Sequence, residues 1–305
     1  MSLLGILKGK GPNGFGFLST ADEVLKEVEL SDKTFLVTGV NSGLGLETAR
    51  ALTARGATII GLARTEEKAQ HALESIGADK GMAVACELSE PSSVRAAVKA
   101  VKGLNIKIDG LIANAGIMAL PKLETKYGYE LQFFTNHVGH FILVTELLET
   151  LAEDGRVVML SSVAHKQAYR AGIQLDNLDG ARGYTSWGAY GQSKLANLLF
   201  AKELATRLGP KQSAFAVHPG VIPTNLVRHL PKFMQLATDW VKGLFMKTIP
   251  QGAATQVYVA AHPRLSGSNG DYFADCNVAK TSKRGADADL ARKLWEESER
   301  IVAAL

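Results

Sequence analysis

The chain predicts an α/β fold, a parallel sheet doubly wound by helices on both faces, in a single domain. Three observations carry this. Short runs rich in apolar and β-branched residues recur at 34–38, 58–62, 82–86, 111–113, 156–161 and 213–217, and segments with helical spacing alternate with them. The first run leads through a glycine-spaced turn, Gly39-x-x-x-Gly43-x-Gly45, straight into Leu46, Ala49, Leu52 and Thr53 at helical spacing. No internal repeat, low-complexity tract or linker divides the 305 residues, and 46% hydrophobic content is enough to bury one full core. Strands alternating with helices place ligands at the carboxyl ends of the strands.

Taken in order, residues 1–30 form an extension before the first strand, and residues 31–305 form the domain. Pro12-Asn13-Gly14 breaks the extension, and Thr20-Ala21-Asp22-Glu23 has the form of a capping box ahead of a short helix. The helix after the second strand covers 66–76. Pro91 opens the next, with Val94, Ala97, Val98 and Val101 on one face. A long helix is expected at 129–151, a loop-rich insertion at 164–183 and a helix at 186–208. Residues 224–250 are apolar but irregular, 251–261 read as a helix, and 271–274 as a short last strand. Leu290, Leu294, Ile301 and Leu305 mark the final helix.

Composition excludes several classes. A net charge of +4 comes without a Lys/Arg block, so nucleic acid is not the expected partner. Cys86 and Cys276 stand far apart, which gives no disulfide framework and points to a reducing compartment, here the cytoplasm. The longest apolar runs are too short to span a bilayer. Residues 1–7 are apolar but lack the basic region and cleavage site of a signal peptide. A free terminus is expected, the alternative being an interfacial membrane anchor formed by Leu3, Leu4, Ile6 and Leu7 with Lys8 and Lys10 behind them.

The first turn suits a pyrophosphate. A strand running through glycines into a helix collects free backbone N–H groups and the positive end of the helix dipole at one spot. Gly39 allows the sharp turn, Gly43 the close approach of phosphate and Gly45 the packing of helix on strand. Asn41, Ser42 and Leu44 supply the backbone between them. The alternative is a glycine turn without a ligand. Cofactor choice belongs at the end of the second strand. Arg64 stands nineteen positions after Gly45, close to the ~20 expected for the residue that reads the adenosine ribose. An acidic residue there would accept from the 2′-hydroxyl of NAD(H). A guanidinium suits the 2′-phosphate of NADP(H), at about 1.5–3 kcal/mol for a charge-assisted bond. The alternative is a surface arginine capping the next helix.

Ser161-Ser162 closes the fifth strand at the ligand crevice. Tyr190 and Lys194 lie four apart on an expected helix, hence on one face. A neighbouring cation lowers a phenol's pKa by about 1–3 units from its usual value near ~10. Tyr190 is thereby the candidate proton shuttle, a role worth roughly 10²–10⁴-fold. Alone, Tyr-x-x-x-Lys is a common exposed pair. Its meaning comes from the order in which glycine turn, Asn114-Ala115-Gly116, strand-ending serine and Tyr-x-x-x-Lys follow one another. His137-x-x-His140 has no third ligand near it, so packing is expected and no metal.

These motifs, with Asn136-His137-Val138-Gly139 and Pro219-Gly220-Val221-Ile222-Pro223-Thr224, run in the order of the short-chain dehydrogenase/reductase family, which the chain closely resembles along almost its whole length. The segments Asn136 to Phe141, Ser161 to His165 and Tyr272 to Cys276 are similar to its retinol dehydrogenase-like branch. The N-terminal stretch resembles chloroplast import-associated relatives. The resemblance implies a Rossmann-like fold and an oxidoreductase acting on CH–OH and C=O groups. It implies that Tyr190 is the acid/base, that Lys194 lowers its pKa and holds the nicotinamide ribose, and that Ser162 bonds the substrate oxygen. Asn136 would hold a water relaying protons to Lys194. Asn114, with Ala115 and Gly116, would lie by the adenosine ribose, and Pro219, Gly220, Ile222 and Thr224 would wrap the nicotinamide. Glu87, followed by Leu88, stands where the family usually has Asp beside the adenine. An apolar lid at about 222–250, including Leu226, Phe233, Trp240 and Phe245, suits a lipophilic carbonyl or alcohol, the alternatives being a cover for the sheet or a subunit contact. Family resemblance makes a homodimer or homotetramer the expected assembly. A second functional reading on the same fold is an NADP(H)-binding redox sensor with a regulatory partner.

Overall fold

The computed structural model describes residues 9–222, 246–265 and 267–305. Eight strands form one sheet in the order β10-β9-β8-β7-β4-β1-β2-β3. They are β1 (Thr34–Thr38), β2 (Thr58–Ala63), β3 (Met82–Ala85), β4 (Ile108–Ala113), β7 (Leu151–Leu160), β8 (Ser213–His218), β9 (Tyr272–Ala274) and β10 (Asn277–Val278). All neighbours pair in parallel except β9 and β10. Strand order reverses between β1 and β4, so the crevice at their carboxyl ends is the switch point where such sheets bind ligands.

Alternation along each strand explains the two layers of helix. Phe35 and Val37 enter one core and Leu36 the other; Ile59 and Ile60 divide the same way, as do Val158 and its neighbours Val157 and Met159. The first core is covered by α1 (Ala21–Val24), α2 (Gly43–Thr53), α3 (Glu66–Ser75) and α7 (Ile249–Ala261). The second is covered by α4 (Pro91–Gly103), α5 (131–147), α6 (Ser186–Leu204) and α8 (Ala288–Ala303). Both faces of the sheet are buried, which is why its central strands read as continuous apolar runs. Helix α6 is enclosed almost all round: every residue from Gly188 to Ala201 is buried.

The extension before β1 packs on this body. Thr20 and Glu23 form the expected capping box, and Asn13 Nδ2 donates to the Cys276 carbonyl at 2.6 Å. Asn277 Nδ2 returns a bond to the Phe15 carbonyl at 3.1 Å. Among the described residues no helix is long and apolar enough to cross a membrane.

The helix expected at 129–151 is shorter and more complex. A hairpin of β5 (Thr125–Lys126) and β6 (Tyr129–Glu130) precedes it, turning on Tyr127 and Gly128, both at positive φ. That is the conformation a two-residue hairpin loop requires. Glu130 then caps α5 through the Phe133 N–H at 2.8 Å. Within α5 a π turn spans Phe134–Val138. After Leu148–Thr150 the chain is already extended, so β7 begins at Leu151 rather than at 156, where Leu151 pairs with Ile108 across a register irregularity. Helix α7 begins at Ile249, two residues before the expected start, because Thr248 and Gln251 form a capping box.

His137 and His140 are wholly buried in α5 and engaged separately, not toward a common ligand. His137 Nε2 meets Ser298 Oγ at 2.9 Å, and His140 bridges Thr38 Oγ1 and the Asn136 carbonyl at 2.9 Å each. Burial pushes His137 down to about 3 and His140 down to about 4, from 6.5. Both rings are neutral in the fold, whereas the unfolded chain takes up protons as pH falls below 6.5. Their contribution is therefore full above 6.5 and lost as pH falls toward the folded values. For His140 the loss is about 3 kcal/mol, at 1.36 kcal/mol per unit. Urea midpoints should fall between pH 6.5 and about 5, above most carboxylate titration, and fall less steeply in His140→Gln; equal slopes would contradict this.

Candidate active site

The site grows from the carboxyl ends of β1, β4, β7 and β8. β1 ends at Thr38, whose hydroxyl accepts the N–H groups of Asn114 and Ala115 at 2.9 Å each. With both lone pairs taken, Thr38 donates to His140 Nε2, and His140 Nδ1–H donates to the Asn136 carbonyl. The glycine turn follows. Gly39 has φ +68, and a Cβ there would stand 3.1 Å from that of Ala115. A Cβ on Gly45 would lie 2.2 Å from the Gly39 carbonyl oxygen, so only glycine lets α2 close on the turn. Ser42 is the N-cap residue of α2 but makes no capping bond, and Asn41 and Ser42 are exposed. The first N–H groups of α2 therefore lack a side-chain cap, as an anion-binding helix end requires.

Arg64 is exposed immediately after β2 and pairs with no carboxylate among the described residues. It is not the cap of α3; Thr65 is, through the Lys68 N–H. Glu87 lies after the neighbouring strand β3. Its Oε1 is held by the Ser89 N–H at 3.2 Å and hydroxyl at 3.0 Å. Leu88 is buried under α5, where a Cβ on Gly139 would strike the Leu88 carbonyl. Asn114 turns its Nδ2 to the Thr38 carbonyl at 2.9 Å, so it lies beneath the glycine turn and ties β4 to β1.

Gly116 opens the central cradle: a Cβ there would come within 3.0 Å of Asn136 Oδ1 and 3.3 Å of Lys194 Nζ. The Asn136 amide is fully engaged. Its Oδ1 accepts from Ile117 N at 2.8 Å, and its Nδ2 donates to Ile117 O and Ser193 Oγ at 2.9 Å each. Lys194 is buried and donates to the Leu160 carbonyl at 3.0 Å, at the end of β7. Two residues on, the Ser162 hydroxyl accepts the Ala164 N–H at 3.2 Å and hydrogen-bonds the Tyr190 phenol. Tyr190 is buried beside it on α6, and Lys194 Nζ stands 5.7 Å from the Tyr190 ring centre. Beyond β8, Pro219 is buried and Gly220 takes φ +99. Ile222 packs at Gly252 beside Leu44, which brings this loop to the glycine turn. Thr224 and the lid residues 223–245 lie outside the described residues.

The electrostatics differ from the expectation for Tyr190. Burial pushes its phenol up to about 12, with the Ser162 hydroxyl pulling the other way, and burial pushes Lys194 down to about 8. Desolvation outweighs any help the ammonium gives the phenolate. Cys86 and Cys276 are free and buried, and burial pushes both thiols up to about 12.

Several supporting residues stand outside the sequence-based assignments of the site. His140, for which packing was expected, joins two strand ends to the π turn. Lys247, fully buried, pairs with Asp275 at 2.7 Å, lies against Gly220 and donates its N–H to Val221 O at 2.9 Å. Gln256 reaches from α7 to Thr48 and to Asn114 Oδ1. A buried polar residue at a core position of an apolar helix was the only available signal for Gln256. For Lys247 there was none.

The glycine cradle, the uncapped α2 and the space at Gly116 fit a dinucleotide along the strand ends, with Lys194 and Tyr190 at its far end. Fold and site are those of a nicotinamide-dependent oxidoreductase on a doubly wound sheet. The model of the family described as short chain dehydrogenase matches residues 33–235. The chain belongs to that family, whose members act on alcohol and carbonyl groups. It is 40% identical to the short-chain dehydrogenase TIC 32 B, chloroplastic, of Brassica napus, with both chains covered in full. It is 36% identical to human retinol dehydrogenase 14, over 90% of this chain and 87% of that one. Among solved structures, an uncharacterized protein from Mycobacterium Paratuberculosis superposes with a TM-score of 0.74 at 34% identity, covering 93% of this chain and 97% of the other.

Proposed function

We propose that the protein is an NADP(H)-dependent oxidoreductase that moves a hydride between the nicotinamide and a lipophilic carbonyl or alcohol, in a reducing compartment such as the cytoplasm. One observation carries this reading: Tyr190 and Lys194 are buried on one face of α6, behind Ser162 and against Gly116, at the carboxyl ends of β4 and β7. The bound dinucleotide supplies the hydride. Everything else falls to side chains of this chain.

Gly39, Gly43 and Gly45, with the N–H groups of α2, take the pyrophosphate, and Arg64 takes the 2′-phosphate. Glu87 acts through its turn, since its Oε1 is already bound by Ser89. Ser162, whose hydroxyl faces Tyr190, donates to the substrate oxygen. Burial holds the Tyr190 phenol above its usual range, so it is protonated at neutral pH and set to give its proton to a carbonyl oxygen. Lys194 orients the nicotinamide ribose. Asn136 holds Gly116 and Ile117 against α6, and a relay water there would use the second lone pair of its backbone carbonyl.

Apolar side chains exposed beside this group support a lipophilic substrate. Val163 is 42% exposed next to Ser162, Trp187 is 43% exposed with its ring edge-on to Tyr190 at 6.0 Å, and Val221 is 53% exposed next to Gly220. A pure sensor needs no proton donor, so the buried Tyr190 counts against the regulatory reading.

Tyr190→Phe is expected to bind NADPH as wild type does, by fluorescence titration, and to lose about 10²–10⁴-fold in kcat on a carbonyl from a retinoid and steroid panel. Wild-type turnover would remove Tyr190 from the chemistry. Arg64→Asp is expected to cut the preference for NADPH over NADH by about 10–100-fold, the equivalent of one charge-assisted bond. An unchanged ratio of kcat/KM would show that Arg64 does not read the 2′-phosphate.

A further inference from the structure

The short turn that follows Ser162 is held from two sides by one imidazole. His165 is buried, with Nδ1 at 2.6 Å from the Ser162 carbonyl and Nε2 at 3.1 Å from the Ser282 backbone nitrogen. A carbonyl only accepts and a backbone N–H only donates, so the proton sits on Nδ1 and Nε2 is the bare acceptor. The ring also stands edge-on to Tyr272 of β9, 5.2 Å between centres. The turn itself, Val163–Gln167, presses on the helix that carries Tyr190. A Cβ on Gly191 would lie 2.7 Å from both the Ala164 carbonyl oxygen and the Ala168 nitrogen. Ser162 caps this turn with the oxygen of the same hydroxyl that faces Tyr190. Ser282 begins the turn leading to α8, accepting the Gly285 N–H on its hydroxyl and the Ala286 N–H on its carbonyl.

We propose that His165 is a positioning residue: its Nδ1–H fixes the Ser162 backbone, and so the hydroxyl, against Tyr190, while its Nε2 ties that placement to the 282–287 turn before α8. The segment far along the chain thereby sets the geometry of the reacting end of the site. This rests on Ser162 and Tyr190 being the reacting pair.

Three variants separate the possibilities. His165→Phe keeps a ring against Tyr272 and removes both bonds. His165→Gln keeps one donor and one acceptor at comparable reach. His165→Asn keeps a donor for Ser162 but is too short for Ser282. In the full-length protein, His165→Phe should lose about 10–100-fold in kcat, the cost of a misplaced group near the chemistry, with NADPH affinity unchanged. His165→Gln should recover most of that loss. Hydrogen exchange should quicken at 163–168 and at Ser282 in the Phe variant, but not in β1 or α2. His165→Asn should quicken exchange at Ser282 first, and it serves in place of the Phe variant if the latter does not fold. Wild-type kcat in His165→Phe, a parallel loss of NADPH binding, or no recovery in His165→Gln would each overturn the proposal. If the wild-type protein turns over no carbonyl or alcohol, the oxidoreductase reading fails on its own. The exchange pattern then still decides whether His165 couples the two turns.

Discussion

The hydroxyl of Thr38 is the point on which the site depends. Three bonds meet there: two N–H groups from the end of β4 come in, and one O–H goes out to His140 of α5. A valine would fill the same space and leave the Ala115 N–H and His140 Nε2 without this partner, while the Asn114 N–H would keep only the Ile112 carbonyl at 3.0 Å. Each buried orphan costs about 1–3 kcal/mol, more than a satisfied bond gains. The glycine turn begins one residue later, the Asn114-Ala115-Gly116 turn is pinned by the two N–H groups, and the π turn carrying Asn136 is held through His140. Three separate stretches of chain thus share one origin, which is how a crevice between strand ends keeps its shape.

Around that origin, burial sets the charge states. Helix α6 is enclosed on all sides, so neither Tyr190 nor Lys194 can turn to solvent. Burial disfavours the charged form of each and moves the two pKa values apart, the phenol up to about 12 and the ammonium down to about 8. The phenol is a proton donor by default rather than a phenolate stabilised by its neighbour. The lysine keeps its ammonium near neutral pH with one carbonyl, that of Leu160, as its recorded acceptor. Its remaining protons are the donors that a ribose hydroxyl can use.

Much of this was legible in the residues. Alternating apolar runs fixed the strands because both faces of the sheet are buried, and the glycine spacing marked the first turn because a Cβ on Gly45 cannot be accommodated. That Tyr190 and Lys194 share one helix face follows from their spacing, and their candidacy from the order of the motifs around them. The failures have physical causes. Tyr129-Glu130 reads as the beginning of a helix rather than a strand because nothing local distinguishes the two when the strands of a hairpin are two residues long. The early start of β7 depends on pairing with β4, a contact distant in sequence. The direction of the Tyr190 shift depends on how completely α6 is surrounded, and spacing carries no information on burial. His165, Lys247 and Gln256 act through partners distant in the chain, Ser282 for His165, Asp275 for Lys247 and Thr48 for Gln256, so only the folded chain reveals these contacts.

The most direct test is a crystal structure of the protein with NADP(H). The expected result has the pyrophosphate on the Asn41–Gly45 turn and the nicotinamide ring beside the Tyr190 hydroxyl, within reach of Lys194. A dinucleotide bound away from this crevice, or a Tyr190 hydroxyl directed away from the nicotinamide, would contradict it.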